Sequence, residues 1–77
     1  MMDRRFTNWF KRIRTAMRLT RRDVVAIMAR GGIEISASRA DGWMRHEDDD
    51  RRNVMSETEF DTFTYGLVEW VSENRKG

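Results

Sequence analysis

Residue types that could carry catalysis or hold a metal are scarce in this chain of 77 residues. There is no cysteine, and the single histidine, His46, is followed by the acidic run 47–50. Such a run offers oxygen ligands to a hard cation, but it lacks the alternating spacing and the turn glycine of a calcium loop. We therefore interpret 46–50 as a solvated acidic loop. We expect neither an enzyme nor a bound cofactor or metal.

The arginines indicate a different chemistry, the binding of phosphate. Residues 1–40 carry ten Arg or Lys against three acids, a net +7, whereas residues 41–77 carry five against ten, a net −5. The planar guanidinium group suits phosphate and the edges of bases. The basic half can therefore bind a polyanion, while the acidic half stays solvated or binds a basic protein partner. The same pattern also fits a solvated surface with no specific function.

Helices must position these residues, because the chain has no proline and no segment alternates apolar and polar residues for long enough to predict a strand. The length permits a single domain with one core. We expect an all-α fold of four helices near 8–18, 21–30, 37–46 and 57–73. Residues 1–7 would precede the first helix as a flexible basic arm.

Local signals mark where each helix begins. The predicted N-caps are Thr7 or Asn8, Thr20, Ser36 and Ser56, and Glu59 completes a capping box with Ser56. Apolar residues recur at helical spacing on one face of each helix, which predicts a shared core. That core contains Phe10, Ile13, Met17, Val24, Ile27, Met28, Trp43, Phe60, Phe63, Leu67 and Trp70.

The predicted second and third helices carry an ordered series of residues. It consists of Leu19-Thr20, the apolar pair 24–25, Met28, the glycine turn 31–32, a serine-rich helix start, and Trp43 with Arg45. This series resembles the helix-turn-helix of Cro and phage-repressor-like DNA-binding domains, whose second helix enters the major groove. The link 31–35 is longer than the turn of that family.

The resemblance implies a role for each matching residue. On the third helix, residues facing base edges or adjacent phosphates would be Ser36, Ala37, Ser38, Arg39 and Asp41. At the start of the second helix, Thr20, Arg21 and Arg22 would contact the DNA backbone.

A second set of residues extends over almost the whole chain. It includes Asn8, Ile13-Arg14 with Ala16, Asp23, Gly31-Gly32 with Glu34 and Ser36, Trp43, the run 47–49, Phe63, Gly66-Leu67 and Arg75-Lys76-Gly77. This set resembles one repeat of the YehS-like bacterial family, a small helical domain without an established function that commonly occurs as two tandem copies. The resemblance supports a helical fold, and a single copy would pair with itself.

Two classes of function follow. The first is a small bacterial or phage transcriptional regulator that binds double-stranded DNA as a homodimer. The second is a protein-interaction adaptor that uses the acidic half or an exposed aromatic residue among Trp9, Tyr65 and Trp70. The longest apolar stretch, 24–29, is too short to span a membrane, and no secretory signal is recognisable, so we expect a cytoplasmic protein.

Overall fold

The computed structural model describes residues 4–45, 49 and 53–74. The helices are α1 (Arg5–Met17), α2 (Arg21–Gly31), α3 (Ala37–Met44) and α4 (Glu57–Asn74). No strand occurs within these described residues. The predicted all-α fold of four helices is confirmed, and the predicted bounds agree with the observed ones to within three residues.

The start of α1 differs from the prediction, because neither Thr7 nor Asn8 is its N-cap. The N-cap is Arg4, whose side chain makes no capping hydrogen bond. Thr7 is instead fully buried, and its Oγ1 accepts a hydrogen bond of 2.7 Å from the backbone N–H of Met55. Residues 5–7 therefore belong to α1 and not to a flexible arm, while residues 1–3 lie outside the described part of the chain.

The other three predicted N-caps are confirmed. Thr20 and Asp23 form a reciprocal capping box at α2, and Ser36 accepts a hydrogen bond from the N–H of Arg39 at α3. Before α4, the N–H of Ser56 donates to the Glu59 carboxylate at 2.9 Å, and the N–H of Glu59 donates to the Ser56 hydroxyl at 3.1 Å. Each cap satisfies backbone donors that the first helical turn leaves unpaired.

The core contains most of the predicted residues, with one clear exception. Fully or almost fully buried apolar residues are Phe10, Leu19, Val24, Ile27, Met28, Ala40, Trp43, Met55 and Phe63. Half-buried residues that pack against them include Ile13, Phe60, Leu67 and Trp70. The prediction for Met17 is wrong, since its side chain is 41% exposed. The chain turns at Arg18, which has a left-handed conformation with φ 56°, and Leu19 enters the core instead.

Helix α2 packs most extensively against α4. Two glycines permit this close approach. A Cβ atom at Gly31 would collide with the backbone carbonyl of Thr62, and one at Gly66 would collide with the carbonyl of Ile27. The backbones of the two helices are therefore in direct contact, and this contact fixes the position of α2.

Candidate nucleic-acid interface

Four arginines flank the short link between α1 and α2, and we name this group the arginine corner: Arg14, Arg18, Arg21 and Arg22. Arg14 lies in the last turn of α1, and Arg18 caps the C-terminus of that helix in a left-handed conformation. Only two residues separate Arg18 from Arg21, and one of them, Leu19, is buried. The N–H of Leu19 also donates a 3.0 Å hydrogen bond to the carbonyl of Arg14. The short link therefore keeps the C-terminus of α1, with Arg14 and Arg18, near the N-terminus of α2, with Arg21 and Arg22.

Ion pairs in the described part of the chain do not compensate the positive charge of the arginine corner. Within the described ranges, none of its four guanidinium groups contacts a carboxylate. The nearby acid, Asp23, accepts a 2.9 Å hydrogen bond from the N–H of Thr20. Arg18, Arg21 and Arg22 are exposed, whereas Arg14 is half-buried and its Nε lacks an acceptor among the described residues. The N-terminus of α2 adds the positive end of its dipole at the same place.

Two described arginines later in the chain, Arg30 and Arg45, are paired instead. Arg30 contacts Glu73 at 2.6 Å. Arg45 contacts both Asp41, at 3.1 Å, and Asp49, at 3.2 Å. Ion pairs thus neutralise these arginines, in contrast to those of the arginine corner.

Arg39, which the helix-turn-helix resemblance assigns to base edges, is 44% exposed but is bonded to other residues of the same chain. Its guanidinium donates to the carboxylate of Glu59 on α4 and lies 5.5 Å from the centroid of the Trp43 ring. The Glu59 side chain is only 16% exposed. Burial by itself raises the pKa of Glu59, but the hydrogen bond from Arg39, the bonds from Ser56 and the charge of Arg39 together hold this pKa below its ordinary value. Glu59 is therefore ionised at neutral pH and keeps Arg39 engaged.

The remaining predicted site residues divide between two places. Thr20, Arg21 and Arg22 lie together at the start of α2. Ser36 and Ser38 are exposed at the start of α3, where Ser36 serves as the cap. Asp41, on the same helix, is half-buried and paired with Arg45.

Sequence reasoning did not assign a DNA contact to two members of the arginine corner, Arg14 and Arg18. The signal that could have identified them is their position close before Arg21, across a link of only a few residues. Arg12 also has no ion pair in the described chain, but it is two residues from Arg14 and lies on nearly the opposite side of α1.

The acidic loop is described only at Asp49, because residues 46–48 and 50 lie outside the described residues. Among the residues that are described, no three His, Asp or Glu side chains are grouped as a metal site requires. None of the described helices combines the length and the apolar character that crossing a membrane requires.

Comparison with known proteins identifies a family and no individual relative. No curated protein and no solved structure shows a significant match to the chain. One family model matches residues 8–70, which include all of α2 and α3 and most of α1 and α4. The chain therefore belongs to the family DUF1456, described as a protein of unknown function.

Proposed function

We propose that the chain is a small DNA-binding transcriptional regulator that contacts the phosphates of double-stranded DNA through the arginine corner. The observation that carries this proposal is the absence of ion pairs at Arg14, Arg18, Arg21 and Arg22 in the described chain. A paired arginine must lose its carboxylate before it binds phosphate, whereas these four need not. Within DUF1456 we place the chain with the YehS-like bacterial proteins that it resembles.

The contacts proposed for the corner do not depend on DNA sequence. Arginine side chains and a helix N-terminus both bind phosphate oxygens, and such contacts fix the position of a protein on the duplex. Base contacts are proposed for the exposed first turn of α3, at Ser36 and Ser38. We do not include Arg39 among the proposed DNA-contacting residues, because its guanidinium group is bonded to Glu59.

The proposed DNA-binding form is a symmetric homodimer. Major-groove readers usually double their contacts by two-fold symmetry. Large apolar side chains that a second copy could cover are exposed at Trp9, Met17, Tyr65 and Val68. Sedimentation at micromolar concentration tests this part of the proposal, and a monomer of 9.2 kDa at every concentration, with and without DNA, would refute it.

Fluorescence anisotropy with a labelled duplex tests DNA binding itself. Affinity should fall steeply as the salt concentration rises, because each neutralised phosphate releases counterions. Replacing both Arg21 and Arg22 by Gln should weaken binding and flatten the slope of log K against log salt by about two units, at about 0.9 per contact. The control is Arg12→Gln, which removes the same charge type from the opposite side of α1 and should leave the slope unchanged.

A protein-interaction adaptor is the second candidate. It is favoured by the exposure of two aromatic side chains, 40% for Trp9 and 63% for Tyr65, while Trp70 is half-buried. If the wild-type chain binds no duplex even at low salt, DNA binding is refuted and the adaptor replaces it.

A further inference from the structure

A pocket of about 440 Å³ lies between the beginning of α1 and the first half of α4. Three aromatic residues, Phe6, Trp9 and Phe60, line it together with two acids, Glu57 and Asp61. We name these five residues the aromatic pocket. Its volume is within the range of about 300–1,000 Å³ that is typical of small-ligand sites. It shares no residue with the arginine corner, so ligand binding at the pocket can be measured without DNA.

The three rings form a closed triangle. The ring centroids are 5.4 Å apart for Phe6 and Trp9, 5.8 Å for Phe6 and Phe60, and 5.7 Å for Trp9 and Phe60. Phe60 packs against the core, which anchors the triangle, while Trp9 remains 40% exposed. The face of an aromatic ring carries partial negative charge and attracts a cation. The triangle therefore offers accessible aromatic surface to a positively charged group.

The two acids of the pocket have no basic partner among the described residues. Glu57 and Asp61 are exposed, and neither forms an ion pair with any residue that the structure describes. They are four residues apart on α4, so their side chains lie on the same side of the helix and repel each other. A cation bound between them would relieve this repulsion while it contacts the rings.

We infer that the aromatic pocket binds an arginine side chain of a partner protein. A guanidinium group stacks on aromatic rings and can also bond both oxygens of a carboxylate, which a lysine ammonium does less well. The same rings already accept a guanidinium in this fold. The Arg5 group lies 4.9 Å from the Phe6 centroid and 5.7 Å from the Trp9 centroid, although Arg5 is not among the residues lining the pocket.

Titration with three short capped peptides tests this inference. The peptides are identical except for a central arginine, lysine or citrulline, the last of which keeps the shape of arginine without its charge. Binding is followed through the NMR signal of the Trp9 indole N–H, with the signals of Trp43 and Trp70 as internal references. The arginine peptide should shift the Trp9 signal saturably, the lysine peptide should bind more weakly, and the citrulline peptide should not bind.

Matched variants distinguish the pocket from general attraction to acidic residues. The pair Glu57→Gln and Asp61→Asn should weaken binding of the arginine peptide by about fivefold or more. The pair Glu34→Gln and Glu69→Gln removes the same charge from exposed positions outside the pocket and should retain wild-type affinity. Trp9→Leu keeps an apolar side chain without a ring and should also weaken binding, followed here by calorimetry, with thermal melting confirming that each variant folds.

Three results would overturn the inference. Equal binding of the citrulline peptide would show that the pocket does not recognise charge. An equal loss of peptide affinity in the two double variants would show that net charge alone attracts the peptide. A wild-type dimer that dissociates in the Glu57→Gln and Asp61→Asn variant would show that the occupant is an arginine of a second copy and not of another protein.

Discussion

Gly66 of α4 lies against the backbone carbonyl of Ile27 in α2, so closely that even a methyl group at position 66 would overlap the oxygen. The same methyl group would also press on the backbone nitrogen of Gly31. Because both neighbours are backbone atoms, no side-chain rotation could make room. The contact fixes the distance between the two helices and thereby the position of the α2 half of the arginine corner.

Gly66→Ala is therefore expected to destabilise the fold. Alanine favours a helix interior over glycine by about 1 kcal/mol, so the substitution would stabilise α4 if space were open. Overlap with the backbone should reverse this sign and reduce the free energy of unfolding by about 2 kcal/mol or more. Urea denaturation measures the change. The control is Gly32→Ala. Apart from its two chain neighbours, no described residue lies within 4 Å of a Cβ at this position, but φ is +105°, so backbone strain alone should cost about 1–2 kcal/mol. A Gly66→Ala variant as stable as wild type would contradict the backbone contact.

Thr7→Val tests the buried hydrogen bond between α1 and the segment before α4. Valine has nearly the shape of threonine but cannot accept the N–H of Met55, and both residues are fully buried. Leaving that donor without a partner should reduce the free energy of unfolding by about 1–3 kcal/mol. Thr7→Ser retains the hydroxyl acceptor and should lose less stability than Thr7→Val. An equal loss of stability in the two variants would show that the effect comes from packing and not from the hydrogen bond.

Ser56→Ala tests the capping box of α4. The hydroxyl of Ser56 accepts the N–H of Glu59 at 3.1 Å, and alanine leaves that donor without its side-chain acceptor. The expected cost is about 1 kcal/mol, and Ser56→Asp, which restores an acceptor, should recover most of it. An unchanged melting temperature in the alanine variant would show that this cap does not stabilise the protein in solution.

Glu59 should contribute a pH-dependent part of the stability. Its pKa is below the ordinary value in the folded protein, so the folded state binds the proton less readily than the unfolded chain. The contribution is complete above the ordinary pKa of about 4.5 and is lost as the pH falls through the lower folded value. Unfolding at pH 7 and at pH 3 should therefore differ less for Glu59→Gln than for wild type. Glu69→Gln, on the exposed side of α4, should keep the wild-type difference.

The features that the sequence predicted correctly are local ones. The caps at Thr20 and Ser36 each depend on residues within three positions, and helical periodicity depends on one helix at a time. Local patterns of this kind are visible in a single sequence. The turn at Arg18 could not be recognised in this way. The left-handed residue there is an arginine and not the glycine that usually marks such a turn.

The features that the sequence did not predict join distant residues. Thr7 and Met55 are 48 positions apart, and Arg39 and Glu59 are 20 positions apart. Nothing in the spacing of such residues indicates that they meet until the packing of the helices is known. The candidate site was therefore predicted only in part. Arg21 and Arg22 remain in it, whereas Arg39 is bonded to Glu59.

Arg39 and the arginine corner should respond differently when DNA binding is measured. Arg21→Ala and Arg22→Ala should each weaken binding to all duplex sequences similarly and flatten the salt dependence by about one unit of slope. Arg39→Ala should change affinity less than threefold on every duplex, because Glu59 already occupies its guanidinium. Anisotropy of the three single variants at two salt concentrations, on random and selected duplexes, makes the comparison.

If Arg39 instead contacts guanine through two hydrogen bonds, its loss would cost about 1–3 kcal/mol on the selected site and much less on random DNA. That result would mean that DNA displaces Glu59 from Arg39, and Glu59→Gln should then bind the selected site more tightly than wild type, since the competing carboxylate is gone.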